Sequence, residues 1–168
     1  MIKIHKQQGV GLVEVLVALL VLAIGVMGFI ALQYRAVEAT AESGSRIQAI
    51  NIARDLAERM RVNRGAEEVY AYHLNTASAQ RLFKTNCFTT NCTSDDLADF
   101  DVAQISNRAR TIGMAVNYLP CSGNTDGRRC IYIAWGDTAP TNGNVGEGNC
   151  TLGNSYDPNS TCLIMEVY

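Results

Sequence analysis

The sequence is short of most things that mark an enzyme or a metal protein. There is no Gly-x-Ser-x-Gly elbow, no His-Glu-x-x-His, no phosphate-binding loop and no dinucleotide fingerprint, so the common hydrolase, zinc-protease and nucleotide-binding classes have no foothold. There are two histidines, and His73 has no second histidine at metal-ligand spacing, which makes it a surface or half-buried residue. No Cys-x-x-Cys occurs. Basic residues show no excess: 14 Lys and Arg stand against 16 Asp and Glu, and beyond residue 9 the basic count falls to 12. The chain therefore carries no electrostatic footprint for nucleic acid, and none is expected as a partner. Asp95, Asp96, Asp99 and Asp101 cluster, but they lack the Asp-x-Asp-x-Asp-Gly pattern of a calcium loop and read as acids at a helix start. No catalytic residue, cofactor or metal is expected.

What is present is unevenly placed. In 168 residues, enough for one domain, the 23 residues from Val10 to Leu32 are apolar or Gly apart from Glu14. As a helix this run rises ~35 Å, enough to cross a bilayer core of ~30 Å. It exceeds the roughly 7–15 apolar residues of an ordinary secretory signal and ends in Gln33-Tyr34-Arg35 without a small-residue cleavage site. Lys3 and Lys6 precede it, so the N-terminus should stay in the cytoplasm and the remainder be exported. Glu14 does not suit a plain membrane anchor. A carboxylate at the bilayer centre costs roughly 2.5–3.5 kcal/mol, and less near an end, so it should have a partner.

From Gln33 to about residue 62 there is no Pro and one Gly, and helix formers dominate. Ile47, Ile50, Ala53, Leu56, Ala57 and Met60 recur at three- and four-residue steps, which predicts one apolar face. Asp55 lies four residues before Arg59, within reach of an ion pair. Asn63-Arg64-Gly65 breaks the helix, and residues 66–83 read as a shorter helix or helical loop. Thr93-Ser94-Asp95-Asp96 is a helix start, with a hydroxyl cap and acids in the first turn. Val102, Ile105, Ala109 and Ile112 then mark an apolar stripe. Three short β-rich runs follow, Met114–Leu119, Cys130–Trp135 and Cys162–Tyr168, the first two joined by a turn-rich link suited to an antiparallel hairpin. Residues 137–161, rich in Gly, Asn, Thr and Pro, read as a long ordered loop. A long helix backed by a small antiparallel sheet is an α+β architecture.

All six cysteines, Cys87, Cys92, Cys121, Cys130, Cys150 and Cys162, lie beyond the apolar run and so reach an oxidising compartment. An even count there reads as disulfides, and intervening lengths of 4, 8 and 11 residues do not suit zinc. Fifteen pairings are open. The sequential set 87–92, 121–130 and 150–162 is preferred because each closes a loop between predicted elements.

The N-terminus also resembles a known family. Gly9-Val10-Gly11-Leu12-Val13-Glu14, after a short basic leader and before the apolar run, looks like the type IV prepilin signal. The resemblance implies cleavage after Gly9 by a prepilin peptidase and methylation of the new Val10 amine. It also implies that Glu14 faces the terminal amine of a neighbouring subunit. The family usually has Phe where this chain has Val10. Further on, the acid-capped helix, Leu119-Pro120 and Ile131-Tyr132-Ile133-Ala134-Trp135-Gly136-Asp137 resemble the PilV family of minor pilins, which tends to carry Trp where this chain has Phe100. The implied organisation is a leader (1–9), a transmembrane or filament-core half helix (10–32) and a periplasmic head (33–168). The implied role is priming or capping a type IV pilus, first in the bacterial inner membrane and then outside the cell. Its partners would be other minor pilins, the major pilin, the prepilin peptidase and, as a further candidate, a tip adhesin. Competing readings are a minor pseudopilin of a type II secretion system, an adhesive or DNA-binding pilin module and an anchored periplasmic enzyme.

Overall fold

The computed structural model describes residues 11–144 and 148–167. Its first element, α1, is a 51-residue helix, Leu12–Val62. The chain divides into two compact units at Ser43/Gly44. In the first, the α1 side chains from Leu12 to Leu32 are exposed on every face, and the segment is apolar enough to cross a membrane. Near its end, Thr40 and Ser43 hydroxyls donate back to the carbonyls of Ala36 and Ala39, at 2.8 and 2.9 Å, so polar side chains are satisfied on the helix itself.

The second unit carries the head. The rest of α1 buries Ala49, Ile52, Ala53, Leu56 and Met60. The sequence pattern put Ile47 on this face, but Ile47 is 61% exposed. It lies nine residues before Leu56, half a turn round the helix at ~100° per residue. Ala49 and Ala53 line the contact in its place, because small side chains let α1 approach its neighbours closely. A 3₁₀ turn (Arg64–Ala66) leads into α2 (Glu67–Asn75), and α3 runs Ser94–Thr111. The Thr93 side chain caps α3 by accepting from the Asp96 amide at 3.2 Å, as the hydroxyl-acid pattern predicts. Ile112, read as the last residue of the α3 stripe, is instead the C-cap and is 42% exposed.

Sheet A has the order β1-β2-β6, built from Met114–Pro120, Arg129–Trp135 and Cys162–Val167, and both pairings are antiparallel. Central β2 is buried on both faces. Ile131, Ile133 and Trp135 join the helical core, while Cys130, Tyr132 and Ala134 face a second, smaller core with Cys150 and Cys162. That second core exists because the described residues between 137 and 161 are not simply a loop. They form β3 (Ala139–Gly143), β4 (Asn149–Leu152) and β5 (Ser155–Tyr156), a second sheet in the order β3-β4-β5 with β3 parallel to β4. Composition hid it. Its strands are short and poor in β-branched apolar residues, and side chains stand in for ladder bonds: Thr141 donates to Asn149 at 2.7 Å, and the Gly143 amide donates to the Thr151 hydroxyl at 3.2 Å. The fold is α+β, with a long N-terminal helix packed against small sheets tied by disulfides.

Candidate assembly surface

Glu14 sits in the first turn of α1, and its backbone amide donates to the Gly11 carbonyl at 2.9 Å. A carboxylate there is favoured by the helix dipole. Its side chain is exposed, and no described residue of the chain pairs with it. Leu12, Val13 and Leu16, the apolar residues around it, are exposed by 77, 72 and 57%. Gly9 and Val10 lie outside the described residues. What the chain displays is an apolar helix carrying one carboxylate. Burying that surface among other helices would be favourable by roughly 25 cal/mol per Å², but only if the carboxylate found a cation.

In the head, the six cysteines form Cys87–Cys92, Cys121–Cys130 and Cys150–Cys162, with Cα–Cα distances of 5.5, 5.0 and 5.5 Å. The first clasps the loop before α3, the second closes the β1–β2 turn and the third ties β4 to β6. The last therefore joins the two sheets through the second core. Phe100, within α3, is buried and stacks edge-on with Phe83 and Phe88 of the clasped loop, both at 5.0 Å between centroids.

The acidic cluster divides in two. Asp95 and Asp96 are helix-start acids, but Asp99 and Asp101 are buried and serve as acceptors inside the head. Asp101 receives the Arg59 guanidinium at 2.6 Å and the Tyr70 hydroxyl at 2.7 Å, while Arg59 also reaches Asp55 at 2.8 Å and Gln104 at 3.1 Å. One network thus clamps α1, α2 and α3. Burial works against the Arg59 charge, and the hydrogen bonds to Asp55 and Asp101 outweigh it, so its pKa lies above the ordinary value. The Asp55–Arg59 spacing was legible in the sequence. The more buried Asp101 contact joins residues 42 apart and was not. Asp99 accepts from the Lys84 amide at 2.8 Å. His73 is half-buried, with Nδ1 3.2 Å from Asp99, near enough for an ion pair when protonated but misaligned for a hydrogen bond.

Two of the buried tyrosines, Tyr70 and Tyr118, make a test of the head's packing. Burial first, and then donation to Asp101, pushes the Tyr70 phenol well above its ordinary pKa; burial and donation to Glu67, at 3.0 Å, do the same for Tyr118. The unfolded chain releases these protons near pH 10, and the folded head keeps them. Their contribution to stability is therefore complete below about pH 9 and falls above pH 10, by about 1.4 kcal/mol per pH unit for each tyrosine. Thermal unfolding at pH 9 and pH 11 should show this loss, and Tyr118→Phe should remove part of it. An equal loss in both chains would refute the assignment.

Two family models match the chain. Residues 4–30 match the prokaryotic N-terminal methylation motif, and residues 31–103 match the family described as type IV pilin Tt1218. The chain is a type IV pilin. No curated protein and no solved structure matches it. The two matches meet within α1 and together run from residue 4 into α3, so this pilin's helical part carries the family pattern. Sheet A and the second sheet lie beyond both matches. The pilin is a structural, non-catalytic protein. Its exposed apolar helix is consistent with a membrane-anchored subunit that assembles into a pilus.

Proposed function

We propose that this pilin is a minor pilin of the PilV kind, which primes or caps assembly of a type IV pilus. Prepilin peptidase cuts after Gly9 and methylates the Val10 amine. The subunit waits as a single-pass protein of the bacterial inner membrane, with residues 10–32 in the bilayer and the head from residue 33 in the periplasm. It then joins other minor pilins and the major pilin, and contact with a tip adhesin would follow from a position at the filament end. The observation that carries this reading is Glu14, a carboxylate with no partner among the described residues, in the first turn of a helix whose residues up to Leu32 are otherwise apolar and exposed. Such a group suits a helix that will be buried beside the terminal amine of another subunit, where each ion offsets the other's desolvation. Three disulfides within the head suit a part that works outside the cell.

Intact-mass measurement of the chain from membrane and sheared-pilus fractions tests the proposal. The expected species begins at Val10, carries one methyl group and is present at far fewer copies than the major pilin. A chain that keeps Lys3 and Lys6 in cells with active peptidase would overturn the processing. A chain as abundant as the major pilin would overturn the minor role.

A further inference from the structure

Sheet A has two edges, and the protein treats them differently. In the β1–β2 ladder the Cys121 amide donates to Arg128, so by the alternation of an antiparallel pair the main-chain groups of Val116 and Tyr118 point away from β2. One outward group of each is occupied at that edge: Gln80 donates to the Val116 carbonyl at 3.1 Å, and the Tyr118 amide donates to the Asn117 side chain at 2.9 Å. Pro120 ends the strand. On the other side, the Trp135 amide donates to Thr161 at 3.0 Å, which sets the odd-numbered residues of β6 toward β2 and the even-numbered ones outward. The Cys162 carbonyl, first of the outward groups, accepts from the Tyr156 hydroxyl at 2.8 Å. Beyond it, the amides and carbonyls of Ile164 and Glu166 have no partner among the described residues.

This open edge also lacks the usual protection. Natural edge strands are blunted by Lys, Pro or bulges. Here Leu163, Ile164, Met165 and Val167 are apolar and half-buried, β6 pairs with β2 without a break, and its one charge, Glu166, is neutralised by Arg128 at 2.8 Å. A row of outward amides and carbonyls is satisfied along its length by one kind of partner, an extended main chain. At the Val167 end the edge runs into a cleft of about 410 Å³ lined by Met60, Arg61, Arg64, Glu67, Tyr118 and Val167. The Glu67 carboxylate there accepts from the Tyr118 hydroxyl at 3.0 Å and keeps its charge, so two arginines against one carboxylate leave the cleft lining net positive, with Arg61 also 3.8 Å from exposed Glu58.

We infer that the outer edge of β6 accepts a β-strand from the head of a neighbouring pilin, extending sheet A to four strands, with an acidic side chain of that strand meeting Arg61 and Arg64. The partner's identity as a pilin rests on the proposed function, since filament assembly is what brings other heads within reach.

Hydrogen exchange on the full-length chain, in detergent alone and in its complex with the other pilins, tests this. The Ile164 and Glu166 amides should exchange at least about tenfold slower in the complex, while Met165, already bonded to β2, should change little. Ile164→Pro removes an outward amide and no internal bond, so the head should keep its disulfides and its thermal midpoint, while recovery of the complex falls at least about fivefold. Arg61→Glu with Arg64→Glu should lower recovery in the same direction. A chain that enters the complex with Ile164 and Glu166 unprotected overturns the strand and leaves the pilin role standing; a chain that joins no pilin complex overturns both. Should Ile164→Pro fail to fold, the exchange comparison on the native chain decides alone.

Discussion

A Glu14→Gln chain is expected to be inserted, cut and exported like the native one, and to be recovered with its partner pilins at about one hundredth of the native level. The proposed cut, after Gly9, lies five residues away, and an amide enters a bilayer at least as readily as a carboxylate. On the proposed role, what the substitution removes is the attraction to a neighbouring terminal amine, and it leaves that ammonium among apolar helices without its counter-ion. Breaking a buried pair from one side commonly costs 3–5 kcal/mol. Glu14 lies in the first turn of α1, near the membrane edge and its headgroups, so the low end of that range, about 3 kcal/mol, applies. That corresponds to about a hundredfold in an association constant. Glu14→Asp should fall between, because the charge remains and the reach shortens. Co-purification of the cleaved variants with partner pilins, beside a count of surface pili, reads both effects. Native-level assembly by the cleaved Gln chain would show that Glu14 does not register subunits.

The second large effect lies in the head. Asp101→Ala removes the acceptor shared by Arg59 and Tyr70 and leaves a buried phenol without a partner. The expected loss is about 3 kcal/mol of unfolding free energy, compounded of one charge-assisted hydrogen bond from Arg59, which keeps Asp55, and of a buried hydroxyl that loses its carboxylate acceptor. The Arg59 side chain is 30% exposed, so water recovers part of its share and holds the loss to that value. Arg59→Ala should cost a similar amount, because the Asp101 side chain, only 8% exposed, is left charged beside the Tyr70 hydroxyl alone. The double variant should cost clearly less than the two singles added, as expected of residues in one network. Chemical denaturation of the disulfide-intact protein provides the measurement, and additive losses would show that the clamp is not a unit.

The two effects differ in how far the sequence announced them. Glu14 stood out because it interrupts a run of 23 apolar positions, and local chemistry along one helix is enough to make such a residue conspicuous. Asp101 looked like its neighbours Asp95 and Asp96. Six residues separate Asp95 from Asp101, more than a turn and a half of helix, and that rotation carries Asp101 from the exposed first turn into contact with α1 and α2. Ile47 was misread for a related reason: its hydrophobicity was plain, but which side of α1 would be covered depends on where α3 and sheet A lie.

By itself, the sequence determined the local and the covalent. The apolar helix with its single acid, the Thr93 cap, the three strands of sheet A and a cysteine set suited to sequential bridges all follow from spacing along the chain. Tertiary structure decided whatever depends on residues far apart. It turned a Gly- and Asn-rich stretch into a second sheet, because β4 buries Cys150 against β2 and β6 and is bonded to β6 through Cys162. It made acceptors of Asp99 and Asp101 by closing helices over them. And it brought Gln80 and Asn117 to two main-chain groups at one edge of sheet A and left those of Ile164 and Glu166 at the other without partners among the described residues, a difference that no period in the sequence encodes, since a strand's main-chain groups are the same whatever its side chains and only the neighbours that arrive in space decide which of them are satisfied.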